Sequence, residues 1–90
     1  MTMVYALVRH SSDAVVGRQG VLCFVQTDGR LFGENLLKAV AREIDGTVTY
    51  RGNQAVLVKD GTEWHLDSLR GGAAEIYDHN NWFRVPVVKI

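Results

Sequence analysis

The chain has 90 residues, ten basic and ten acidic, for a formal net charge of zero, with 47% hydrophobic residues, one Cys and one Pro. That length supports one domain, residues 1–90, and no second core. The dispersed, balanced charges argue against a domain built on phosphate contacts, and a single Cys excludes an intrachain disulfide framework.

Met1 to Leu7 is apolar but has no basic n-region, and polar residues follow from Arg9 to Asp13, so a cytoplasmic protein with no membrane segment is expected. Met3 to Arg9 is rich in β-branched and aromatic residues and predicts a first strand. His10 to Gln19 mixes Ser, Asp and Gly and predicts a loop longer than most connections. Val21 to Gln26 is a nearly continuous apolar run, the pattern of a central strand covered on both faces, with Cys23 in its middle.

Glu34 to Ile44 carries the one helical pattern. Leu36, Leu37, Val40, Ala41 and Ile44 fall within an arc of about 140°, while Asn35, Lys38, Arg42 and Glu43 lie outside it, so the helix should rest on a sheet. Glu34 suits the positive end of the helix dipole, and Gly46 suits a left-handed C-terminal cap. Leu31-Phe32, just before the helix, predicts a hydrophobic staple against its first turn and is otherwise a second candidate contact surface.

Two turn dipeptides organise the next stretch. With Gly52-Asn53 and Asp60-Gly61 as central pairs of two-residue hairpins, Tyr50 faces Ala55, Val48 faces Leu57, Leu57 faces Trp64 and Ala55 faces Leu66. Both registers place these apolar residues on one face, which the helix should cover, and leave Thr47, Thr49, Val56, Val58, Glu63 and His65 on the other.

After Gly71-Gly72 the alternation predicts a last hairpin, Ala74 to Tyr77 and Trp82 to Ile90, turning at Asn80-Asn81. Ile76 would then oppose Val85 and Ala74 oppose Val87, with Tyr77, His79, Trp82 and Arg84 sharing the other side. Pro86 cannot donate to a ladder, so the final strand should be an edge or bulged, and an exposed edge there offers a route to a homodimer.

Little in the chain points to catalysis. A thiol between Leu22 and Phe24 reads as core, with its ionisation suppressed by burial. His10, Ser11, Ser12 and Asp13 have the residue types of a hydrolase triad, but sequence neighbours rarely reach triad geometry. His65 with Asp67, and Asp78 with His79, supply two ligands each, short of a zinc set. The glycine pairs 17/20 and 29/33 lack a phosphate loop's lysine and hydroxyl and read as turns. No cofactor or metal is expected.

The expected fold is α+β: a single amphipathic helix at about 34–44 packed on an antiparallel sheet of five to seven short strands. The order strand, strand, helix, strands is similar to the β-grasp pattern; the alternative is a small open β-barrel with one helix. Tyr, Trp and Arg are enriched among binding hot spots, so Tyr77, His79, Trp82 and Arg84 are the candidate partner-binding residues. The expected function is a small non-enzymatic protein-binding module, a stoichiometric adaptor or inhibitor, of the kind that bacteriophages and mobile elements use against host or defence complexes. The alternatives are a nucleic-acid-binding domain using Tyr77, Trp82 and Tyr50 on a sheet face, against which the neutral charge counts, and a small enzyme.

Overall fold

The computed structural model describes residues 2–9 and 18–90. In chain order its elements are β1 (Met3–Arg9), a 3-10 turn (Arg18–Gly20), β2 (Val21–Thr27), α1 (Gly33–Ile44), β3 (Thr47–Arg51), β4 (Gln54–Lys59), β5 (Thr62–Ser68), α2 (Gly71–Asp78), α3 (Asn80–Phe83) and β6 (Val87–Lys89). The strands form one open sheet in the order β3-β4-β5-β1-β2-β6. All pairings are antiparallel except β2 with β6. The fold is therefore mixed α+β, with a sheet that does not close into a barrel. The candidate triad and most of the predicted first loop, residues 10–17, lie outside the described residues.

The two turn dipeptides set the β3–β5 meander. Gly52 alone has positive φ in the first turn, as a type II′ pair requires, whereas Asp60 and Gly61 are both positive, as type I′ requires. Tyr50 pairs with Ala55, Val48 with Leu57 and Leu57 with Trp64, as the arithmetic demands. The β4–β5 ladder stops at Leu57–Trp64, however, and the expected Ala55–Leu66 pair does not form. On its other edge β5 pairs with β1 from Trp64–Arg9 through Leu66–Leu7 to Ser68–Tyr5, while beyond Leu57 β4 continues along β3 alone.

Amphipathicity decides which face α1 covers. Its buried residues Leu36, Leu37, Val40 and Ala41 pack with Leu7, Cys23, Val25, Leu57 and Trp64, and Val48, Ala55 and Leu66 join the margin. The helix ends at Asp45, which itself adopts the left-handed conformation (φ 59°) assigned above to Gly46. Glycine is needed at 46 for space, because a Cβ there would lie 2.8 Å from Leu57 Cδ2. The staple does not form either: Phe32 is 73% exposed, and Leu31 lies open beside it.

The C-terminal third departs furthest from expectation. The last hairpin is absent; Gly71–Asp78 and Asn80–Phe83 are helices, so α1 is not the single helix. Ala73, Ile76 and Tyr77 stand at i, i+3 and i+4, a helical stripe that packs with Ala6, Val8, Val21, Phe24 and Val85 on the face opposite α1. Ile76 and Val85 thus share a core without being cross-strand partners. Asn80 does not turn a hairpin: its side-chain amide donates to the Val85 carbonyl at 3.0 Å and its Oδ1 accepts from the Val85 N–H at 2.9 Å. This clip, with Arg84 left-handed (φ 54°), turns the chain out of α3 so that β6 can lie parallel to β2. β6 is an edge strand with Pro86 just before it, as Pro86 required.

Candidate functional site

The sheet has two ends. Arg9, Val21, Thr47, Lys59, Thr62 and Val87 mark one; Met3, Thr27, Arg51, Gln54, Ser68 and Lys89 mark the other. α2 starts after Ser68, and α3 delivers the chain to Val87, so the α2–α3 corner sits toward the Arg9 end.

Three of the four candidate partner-binding residues stand exposed along that corner. Trp82 is 86% exposed, the most open large apolar residue among those described. Its neighbour Phe83 turns inward and packs at the margin of the core beneath α2, which leaves Trp82 no inward direction on so short a helix. His79, between the helices, and Arg84, at the exit of α3, are exposed as well. Tyr77 is separated from them: it is half-buried, with its ring edge-on to Phe24 at 5.0 Å and 78°. It anchors α2 to the sheet. The four residues do not share a hairpin face, because there is no hairpin.

A second feature lies at the Met3 end. Where β4 and β5 part beyond Leu57–Trp64, a cleft of about 360 Å³ opens under the first turn of α1, with Leu37, Ala55 and Leu66 in its wall and Glu34, Gln54 and His65 as polar groups. Glu34 is engaged: Tyr50 Oη donates to its Oε2 at 2.8 Å and Lys38 Nζ lies 3.1 Å away. The Tyr50 hydrogen bond first, and then Lys38, hold the Glu34 carboxyl below its usual range, while the same carboxylate raises Tyr50 and Lys38. No Ser, Thr, Cys or Lys is among the residues lining the cleft.

The remaining chemistry is structural. Cys23 is 2% exposed and burial pushes its thiol up to about 11, which suits packing and not attack. Among the described residues no three of His, Cys, Asp or Glu gather as a metal-binding group. Asp28 in the 29/33 glycine segment accepts from the Arg30 N–H at 3.0 Å, an Asx turn in place of a phosphate cradle. Tyr50, Tyr77 and Trp82, the aromatics a base-stacking platform would use, do not share a face. No described helix is long and apolar enough to cross a membrane. No protein-family model, curated protein or solved structure matches the chain.

The sequence singled out Trp82, and Leu31-Phe32 as the alternative to a staple, and the fold leaves all three exposed; it did not reveal the Tyr50–Glu34–Lys38 network or the parted strands. The spacing of Glu34 and Lys38 is the i,i+4 signal for half of that network. Tyr50 enters it only through the tertiary packing of β3 beside α1.

Proposed function

We propose that the protein is a non-enzymatic binding module that docks another protein through the corner bearing Trp82, His79 and Arg84, acting stoichiometrically as an adaptor or inhibitor. The exposure of Trp82, 86%, carries this reading. An indole presents ~150–250 Å² of apolar surface, and burying that area in a partner is worth several kcal/mol at ~25 cal/mol/Å². Arg84 beside it adds a planar donor group suited to a carboxylate or backbone carbonyls.

Affinity capture with the wild-type chain and with the Trp82→Ala/Arg84→Ala double variant tests the reading. Wild type should retain a partner in near-equimolar amount, and the variant, folded by circular dichroism, should lose it. Equal retention by both baits would refute this role for the corner.

A further inference from the structure

The two edges of the sheet are not equivalent. β6 is three residues long, Pro86 stands just before it and Lys89 is exposed on it, features that discourage pairing with another chain. β3, Thr47-Val48-Thr49-Tyr50-Arg51, has no Pro, is rich in β-branched and aromatic residues, and has no described strand on its outer side. Residues flanking a two-residue hairpin turn form a hydrogen-bonded pair, and bonded and non-bonded pairs alternate along the ladder. Arg51–Gln54, Thr49–Val56 and Thr47–Val58 are therefore the bonded pairs, and Val48 and Tyr50 turn their N–H and C=O groups outward.

Beside this edge runs a groove of about 530 Å³ between α1 and β3, with Ala41, Gly46 and Val48 as its apolar and small-residue lining and Lys38 and Arg42 as its charges. No acidic residue lines it, but Lys38 is already paired at 3.1 Å with Glu34 one turn back on α1, which makes Arg42 the groove's principal charge. Glu43, next to Arg42, projects about 100° further round the helix. A strand added to β3 would point alternate side chains into this groove.

We propose that the outer edge of β3 is a docking site for an extended acidic segment of a partner protein, which joins the sheet through Val48 and Tyr50 and sets a carboxylate against Arg42, beside the Lys38–Glu34 pair. This is a surface distinct from the Trp82 corner. A second copy of the chain fits less well: two-fold pairing of β3 with itself brings the Lys38 and Arg42 flanks of both copies face to face.

The test uses isotope-labelled full-length protein and a synthetic peptide in which Thr alternates with Glu and Val, compared with versions carrying Lys for Glu or one central Pro. At saturation the acidic peptide should slow amide exchange at Val48 and Tyr50 about tenfold or more, with Thr49 little changed. Arg42→Glu should weaken binding by at least about tenfold, and the Lys and Pro peptides should bind that much more weakly. Tyr50→Pro, which removes an outward donor but no ladder bond, should abolish binding; if it does not fold, Arg42→Glu provides the comparison. Trp82→Ala should bind the peptide as wild type does, which separates this outcome from failure of the corner. Unchanged exchange at about 1 mM peptide, or equal affinity for the acidic and basic peptides, would overturn the proposal. So would a concentration-dependent dimer that protects the same two amides, which would assign the edge to a second copy.

Discussion

Replacing Trp82 with Ala asks whether the largest exposed side chain contributes to folding. At 86% exposure, about one-seventh of its surface is covered. On an indole of up to ~250 Å² that is roughly 35 Å², worth at most about 0.9 kcal/mol at ~25 cal/mol/Å². Alanine's better helix propensity returns about half of that, so the net loss should be about 0.5 kcal/mol or less. Trp64, 7% exposed in the core under α1, is the internal comparison, for which truncation should cost about 3–5 kcal/mol. At about 4–8 °C per kcal/mol for a domain of this size, thermal melts should show Trp82→Ala within about 4 °C of wild type and Trp64→Ala lower by at least about 12 °C. A loss above about 2 kcal/mol for Trp82→Ala would place its ring in the core and remove the basis for a binding role.

Three further outcomes follow from particular contacts. Gly46→Ala puts a Cβ 2.8 Å from Leu57 Cδ2 and 3.4 Å from the Val58 carbonyl, so it should destabilise by about 1–3 kcal/mol in urea titrations; an unchanged midpoint would show that Leu57 yields freely. Asn80→Ala removes both bonds to the Val85 backbone and should cost about 1–3 kcal/mol, with amide exchange at Val85 and Val88 rising before the rest; protection that stays uniform contradicts the clip. Because the folded chain holds Glu34 below its ordinary value of 4.5, its contribution to stability is whole above that pH and is lost as pH falls through the lower folded value. NMR titration of the Glu34 carboxyl should give a midpoint below 4.5 that moves up toward it in Tyr50→Phe; a midpoint at or above 4.5 in wild type refutes the contact.

The legible parts of the fold are those whose determinants are local. Gly52-Asn53 and Asp60-Gly61 carry their turn types in two residues each, and with them the register of β3 and β4 and the start of the β4–β5 ladder. The stripe Leu36, Leu37, Val40, Ala41 likewise defines both α1 and the face it buries. What was not legible depends on distant partners. Ala55 and Leu66 part although both turn types are right: β5 stays in register with β1 on its other edge as far as Ser68, a long-range pairing invisible in either hairpin. Ala74 and Ile76 fit a strand's alternation as well as Ala73, Ile76 and Tyr77 fit a helix, and the choice falls to the helix because Ala6, Val8 and Phe24 need a cover on the face away from α1. Gly46 shows the same gap on a small scale: its reason is Leu57, on another strand.

For the candidate site, composition singled out an aromatic residue that the fold leaves exposed, but not the reason for its exposure. Trp82, Arg84 and His79 are exposed because α3 is one turn long and spends its inward position on Phe83, whereas Tyr77 is held by Phe24 and serves the fold.

Photo-crosslinking from position 82 in living cells tests the central claim most directly. A benzophenone amino acid placed at 82 should give a discrete crosslinked species containing one copy of the chain and a second protein, and the same group at Lys59, at the same end of the sheet but on β4, with β5, β1 and β2 between it and β6, should give none. Identical patterns from both positions, or crosslinks only between copies of the chain, would contradict docking of another protein at the Trp82 corner.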